Sequence, residues 1–222
     1  MDTQGLWDPN TDSKCNGFIF GLSCALSSYL IYNHTGVLSS EDLSRLATLT
    51  NFSNGLAKIQ CNGKKAFQQL TILFRDSKDI DRRFTRKKAD EVMAEKWNTL
   101  NNQFAYKKHT SKLHECFEGF DAMYLCKPGD IDTPMYDGDL EEVNSFFLVL
   151  MGHFIEDIFK KIRPRIIGGE EVTGETFVKY AESFSELFLK EDTYPDSSMI
   201  MDAACDISNS KIVDNYCIVC ID

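Results

Sequence analysis

Three short groups of polar and turn-forming residues have the composition needed to bind a small charged ligand. The groups are Asp2 with Gly5, Arg75-Asp76 after residues 70–74, and Lys127-Pro128-Gly129 after residues 122–126. The two preceding runs are short and rich in strand-forming residues, which predicts that each is a buried β-strand. In an open α/β sheet, ligands bind at the carboxyl ends of parallel strands. We therefore expect the second and third groups to lie at one edge of a sheet.

The carboxylate of Asp76 offers the most specific chemistry of the three groups. Its two oxygens can accept hydrogen bonds from N1 and N2 of guanine, a pair of donors that adenine does not have. A buried acceptor of this kind rejects the wrong base strongly, because the acceptor would be left unpaired. Arg75 and Asp76 are also consistent with a surface ion pair that closes a strand. The dipeptide alone leaves both interpretations open.

The other two groups are less specific when each is taken by itself. Asp2 and Gly5 match a DxxG phosphate-sensing element, but they also fit a flexible chain terminus with a turn. The Lys127-Pro128-Gly129 turn could lay its backbone and the lysine stem against a base edge or a ribose. An ordinary turn has the same composition. Order and spacing along the chain therefore carry more information than any single group.

Taken in chain order, the three groups resemble the third, fourth and fifth guanine-nucleotide elements of the large dynamin-related GTPases. Within these, the sequence is similar to the group of atlastins and guanylate-binding proteins, and most similar to the atlastins, over roughly residues 1 to 205. The matching segments are residues 1–5, 20–33, 41–43 and 73–76, and the helix around Tyr180 after Gly168-Gly169. The resemblance implies an α/β fold with an incomplete P-loop-NTPase-like, mainly parallel sheet, flanking helices and the start of a helical middle domain.

The same resemblance implies a ligand, a metal ion and a set of binding residues. These are Arg75, Asp76, Lys127 and Pro128 for guanine, and Asp2 and Gly5 for the γ-phosphate, with Asp2 holding Mg²⁺ through water. GTP and Mg²⁺ are the implied cofactors. In the intact family, GTP hydrolysis drives dimerisation and membrane remodelling. The implied location is the cytoplasm, at the cytosolic face of the endoplasmic reticulum in the intact protein.

A phosphate-binding loop of the form GxxxxGK(S/T) does not occur in the 222 residues. That loop cradles the phosphates and supplies a hydroxyl to Mg²⁺. In the family it precedes the DxxG element, so Met1 is expected to be an internal methionine of a longer protein. No catalytic residue is identified, and the chain by itself is predicted to be inactive. The alternative is a non-catalytic interaction module, or a truncated regulator of a full-length relative.

Composition and charge support an intracellular globular protein. The formal net charge of -10 argues against nucleic acid as a general partner. No apolar run approaches the roughly 20 residues that a membrane helix needs. The basic stretch 82–88 also carries acidic neighbours and is interpreted as the solvated face of a helix. The family resemblance implies a nucleotide domain over residues 1–165, followed over 166–222 by a connecting helix and the start of the middle domain.

Hydrophobic periodicity predicts alternating strands and helices. The predicted strands are 28–33, 70–74 and 122–126. The predicted helices are 13–27, one opening at Ser39 with Asp42, a charged region 81–117 broken near Asn101-Asn102, one stepping from Leu140 to Ile162, and one around Tyr180. The family resemblance implies a further helix near 196–212, the first of the middle domain. Ser39 and Asp42 have the spacing of a capping box. The alternation is typical of a parallel sheet whose strands are joined by helices.

Overall fold

The computed structural model describes residues 13–36, 38–49, 53–60, 63–80, 83–129, 131, 133–134, 136–190, 195 and 197–219. The helices in these ranges are α1 (Ser13–Leu26), α2 (Ser40–Leu49), α3 (Ser53–Ile59), α4 (Arg86–Asn102), α5 (Phe104–Cys116), α6 (Ser145–Lys161), α7 (Gly174–Lys190) and α8 (Ser197–Val219). The strands are β1 (Tyr29–Thr35), β2 (Phe67–Arg75), β3 (Phe117–Tyr124), β4 (Ile166–Ile167) and β5 (Glu170–Glu171).

The first three strands form a parallel sheet with β2 at its centre. The register places Leu30 beside Leu70 and Leu70 beside Phe120. Helices connect each strand to the next, as parallel pairing requires. The α/β prediction is therefore confirmed: a parallel sheet flanked by helices, consistent with a partial P-loop-NTPase-like fold. Strands β4 and β5 form a separate hairpin that turns at Gly168-Gly169, both at positive φ.

Helices cover both faces of the parallel sheet. On one face, Trp97 of α4 and His114 of α5 contact the Phe120 ring edge-on, with centroids 4.9 and 5.0 Å away. On the other face, Lys161 of α6 forms an ion pair with Asp121 at 2.6 Å. Phe120 and Asp121 are successive residues of β3, and successive side chains of a strand point to opposite faces. The sheet is therefore enclosed by α4 and α5 on one side and by α6 on the other.

Strand β3 differs from its predicted position. It begins at Phe117 and ends at Tyr124, whereas the apolar run predicted residues 122–126. Polar side chains interrupt the first half of the strand and conceal its pattern. Asp121 is one of these polar residues, and its carboxylate accepts hydrogen bonds from Thr71 Oγ1 at 2.6 Å and from Lys161 Nζ at 2.6 Å. A partly buried carboxylate is tolerated at this position because it is paired and hydrogen-bonded.

The predicted helices are present and differ from the prediction at some of their ends, whereas α3 (Ser53–Ile59) was not predicted. The capping box that opens α2 is confirmed, since Asp42 N donates to Ser39 Oγ (3.1 Å) and Ser39 N donates to Asp42 Oδ2 (3.0 Å). The charged region breaks at Gln103, between α4 and α5. Helix α6 begins at Ser145 rather than at Leu140, which lies in a separate 3₁₀ turn. Helix α8 continues to Val219, beyond the predicted end at 212.

The last two helices pack against the rest of the fold through aromatic and apolar side chains. The rings of Phe188 in α7 and Phe18 in α1 are 5.6 Å apart. Within α7, the Tyr180 and Phe184 rings are also 5.6 Å apart. The Tyr180 hydroxyl lies 3.4 Å from Ser208 Oγ of α8. Among the described residues, none of the helices combines the length and apolar character that crossing a bilayer requires.

Candidate functional site

Two of the three predicted groups lie side by side at the carboxyl edge of the sheet. Strand β2 ends at Arg75 and β3 ends at Tyr124. Beyond the regular pairing, Leu125 N donates to Phe74 O at 2.8 Å, and Ser77 N donates to Leu125 O at 2.8 Å. These two bonds hold Arg75-Asp76 against the segment that leads directly into Lys127-Pro128. The structure therefore brings the four predicted guanine-binding residues to one edge.

Asp76 has an unusual backbone conformation. Its φ of 56° makes it the sole non-glycine residue at positive φ within the described ranges. This left-handed conformation costs most L-residues about 1–2 kcal/mol, although aspartate tolerates it better than most. The side chain is half-buried, and its carboxylate has no hydrogen-bond or ion-pair partner among the described residues. Both carboxylate oxygens are thus free to accept hydrogen bonds from a ligand.

Arg75 is held across the sheet edge by a residue that the sequence did not identify. Arg75 Nη2 donates to Thr35 Oγ1 at 2.9 Å. Thr35 is the last residue of β1 and the register partner of Arg75. Within the described part of the chain, the guanidinium is therefore directed towards β1 and does not pair with Asp76. Thr35 could have been identified only from the register of the parallel strands, which places it beside Arg75.

The Lys127-Pro128-Gly129 turn is tied to the start of α6. Pro128 O accepts a hydrogen bond from Asn144 N at 2.7 Å. The Asn144 side chain in turn caps α6 by accepting from Phe146 N at 2.9 Å. Gly129 has a φ of 121°, which is accessible to glycine and rarely to other residues. An asparagine just before an apolar helix is an N-cap signal, so Asn144 could have been found from the sequence.

A packed apolar layer lies beneath this edge. The Phe74 and Tyr124 rings stack with centroids 4.4 Å apart and planes 9° apart. Burial raises the pKa of the Tyr124 hydroxyl and of the Cys126 thiol, so both groups are neutral at physiological pH. The rings and the thiol beneath the polar rim therefore add no charge to the site.

The remaining predicted site residues, Asp2 and Gly5, lie outside the described residues. The prediction that these two residues bind the γ-phosphate and Mg²⁺ therefore stays a prediction. Within the described ranges, no group of three or more His, Cys, Asp or Glu side chains is arranged to hold a metal ion.

Comparison with known proteins identifies relatives of the whole chain. The family model described as "Guanylate-binding protein, N-terminal domain" matches residues 1–164. Atlastin-2 of Homo sapiens is 24% identical over 227 residues, an alignment that covers 98% of this chain and 38% of the relative. Atlastin-1 of Mus musculus is 25% identical over 210 residues, covering 92% of this chain and 37% of the relative. The chain thus spans less than half the length of these relatives. Because the family model matches most of the chain, the chain belongs to the guanylate-binding protein N-terminal domain family.

Proposed function

We propose that these residues form the base-recognition part of an atlastin-like GTP-binding domain. The observation that carries the proposal is the convergence of Arg75-Asp76 and Lys127-Pro128 at one sheet edge, in a chain of this family. Ligands of open α/β sheets bind at this edge. On this proposal, residues 1–165 belong to the GTPase domain, and 166–222 connect it to a helical middle domain.

Asp76 is the residue that selects guanine. Its half-buried carboxylate would accept hydrogen bonds from N1 and N2 of the base. Charge-assisted hydrogen bonds in a partly buried site are roughly twice as strong as neutral ones. Adenine offers no matching pair of donors, so the carboxylate would be desolvated without compensation. Lys127 and Pro128 would flank the base or ribose from the neighbouring turn.

The γ-phosphate and Mg²⁺ would be bound through Asp2 and Gly5 together with a phosphate loop from another segment. The exposed edge of the sheet at β1 supports the idea that another segment completes the site. Strand β1 lies at an edge of the sheet among the described residues, and its Ile31 is 39% exposed. Helix α6 covers the face of the sheet opposite α4 and α5. Its Ile155 is 45% exposed and its Phe159 is 74% exposed. A strand paired with β1 and followed by a helix would cover these apolar groups. In the intact protein, nucleotide binding would also drive dimerisation.

The 222-residue chain by itself is expected to show no GTP hydrolysis. Stabilisation of charge on the transferring phosphoryl group supplies most of phosphoryl-transfer catalysis, and this chain carries no phosphate loop to provide it. Phosphate release from GTP should be measured with purified protein and Mg²⁺, against a buffer blank. Mg²⁺-dependent turnover that co-purifies with the chain would contradict the prediction.

The proposed site can be tested in a longer protein in which a segment carrying a phosphate loop precedes residue 1. This protein should bind GTP more tightly than ATP in a calorimetric titration. A folded protein without this preference would favour the alternative of a non-catalytic interaction module.

Arg75→Ala should weaken GTP binding in that longer protein by only about fivefold, because its exposed guanidinium packs beside the base rather than selecting it. Thr35→Val should give a similar loss, since Thr35 Oγ1 holds the guanidinium at 2.9 Å. Both affinities can be measured by fluorescent-nucleotide titration. A loss with Arg75→Ala as large as that caused by removing the Asp76 carboxylate would make Arg75 a primary base contact.

A further inference from the structure

The exposed side of helix α5 carries positive charge beside a fully exposed aromatic ring. Phe104 is 98% exposed, and Lys107 and Lys108 are also exposed. Together with Lys112 they form what we call the α5 surface. Residues spaced by three and four positions lie on the same side of a helix, so Phe104, Lys107, Lys108 and Lys112 share one side of α5. The whole helix contains three lysines and one glutamate.

A cavity of about 350 Å³ opens beside this surface, between α3 and α5. Its lining includes Ser53, Asn54, Lys108, Ser111, Lys112 and Glu115. It also includes Ala66 and Cys116, which immediately precede β2 and β3. The cavity therefore lies at the amino end of the sheet, opposite the proposed nucleotide edge. Two ammonium groups and one carboxylate line it, so these side chains sum to a single positive charge.

The charge on α5 differs from most of the basic stretch at the start of α4, although Lys87 there also forms no ion pair with a described residue. On α4, Arg86 pairs with Asp90 at 2.7 Å and Lys88 pairs with Glu91 at 3.7 Å, which agrees with a solvated helix face. On α5, Lys107 and Lys108 form no ion pair with any residue in the described ranges. In a chain with a formal net charge of -10, this local positive charge is an exception. Such a surface is complementary to an anionic partner.

We propose that the α5 surface docks on an anionic phospholipid membrane and that the cavity takes a phosphatidylserine headgroup. The phosphate and carboxylate of that headgroup would lie near Lys108 and Lys112, and its ammonium near Glu115. Phe104 would enter the interfacial layer, where aromatic side chains are favoured. Exposed lysines beside an exposed aromatic ring combine attraction to anionic lipid with burial of apolar area at the membrane interface. An acidic protein is the competing occupant, which the experiment distinguishes. This docking does not depend on nucleotide binding.

Flotation of the 222-residue chain with vesicles tests the docking, because bound protein rises with the lipid while aggregates sink. Vesicles of equal parts phosphatidylcholine and phosphatidylserine should carry the protein upward, and pure phosphatidylcholine vesicles should not. Lys108→Gln should weaken the binding about fivefold, the effect of one lysine near an anionic surface. Phe104→Ser should weaken it on the order of tenfold through the lost apolar burial.

Matched substitutions on other helices serve as controls. Lys88→Gln removes a lysine from α4, and Phe159→Ser removes a 74% exposed phenylalanine from α6; neither should change the binding. All four substitutions are at solvent-accessible side chains, and unchanged thermal melts by circular dichroism would establish that the variants fold. The proposal is overturned if serine-lipid vesicles are not bound, if neutral vesicles bind equally, or if the controls weaken binding as much as Lys108→Gln. Binding to polyglutamate without binding to vesicles would assign the surface to an acidic protein instead.

Discussion

Replacing Asp76 with Ala should weaken GTP binding on the order of a hundredfold or more in the longer protein with a phosphate loop. The change removes both acceptors for N1 and N2 of guanine, and hydrogen bonds to a charged group contribute about 1.5–3 kcal/mol each. Affinity for ATP should change little, because adenine does not use this carboxylate. Calorimetric titration with GTP and ATP measures both effects. Unchanged GTP affinity would remove the main support for guanine recognition at this edge.

The positive φ of Asp76 requires a control for the backbone. Alanine at a φ of 56° is strained, whereas glycine is not, so Asp76→Gly should be the more stable variant by about 1 kcal/mol. If the carboxylate selects guanine, Ala and Gly at this position should lose GTP affinity equally. Asp79→Ala is a matched control, since it removes a nearby exposed carboxylate that already pairs with Lys96 at 2.6 Å and should leave GTP affinity unchanged.

Asp76→Asn should exchange guanine preference for xanthine preference. Asparagine tolerates the left-handed conformation, and its amide can donate to the C2 carbonyl of xanthine. The variant should therefore bind XTP more tightly than GTP. Asp2→Ala should instead reduce the response to Mg²⁺ and leave the ratio of GTP to XTP affinity unchanged. A variant with the same loss for both nucleotides would indicate general damage to the site.

Arg165→Met should lower the free energy of unfolding by about 3 kcal/mol, because buried acceptors left without donors cost about 1–3 kcal/mol each. Arg165 is only 6% exposed, and its guanidinium donates to Ala25 O at 2.8 Å and to Ala66 O at 3.0 Å. Burial lowers its pKa to about 10, so it remains charged at neutral pH. Methionine fills much of the volume but donates no hydrogen bond.

Arg163→Met is the matched control for this prediction. Arg163 is exposed and, among the described residues, donates only to Lys160 O and Ile162 O of its own segment, so its loss should cost less than about 0.5 kcal/mol. Urea unfolding followed by circular dichroism gives both values for the 222-residue chain. Equal stability of the two variants would mean that the fold satisfies the freed carbonyls in another way.

Several parts of the fold followed from the sequence because they depend on neighbouring residues. The run at 70–74 predicted a buried strand, and Leu70 and Ile72 are fully buried in the centre of the sheet. The Ser39–Asp42 capping box formed as its spacing predicted. The meeting of Arg75-Asp76 with Lys127-Pro128 could also be expected, because both groups follow strands of a parallel sheet.

Tertiary structure alone decided the features that join distant segments. Arg165 resembles an exposed arginine in the sequence, yet its partners Ala25 and Ala66 precede it by 140 and 99 positions. Thr35 became part of the candidate site only through its register with Arg75. Asp121 could lie within β3 only because Thr71 and Lys161 reach it from other elements. Periodicity reports the environment of residues two to four positions apart, whereas a buried polar group is stabilised by whichever partner the folded chain brings to it.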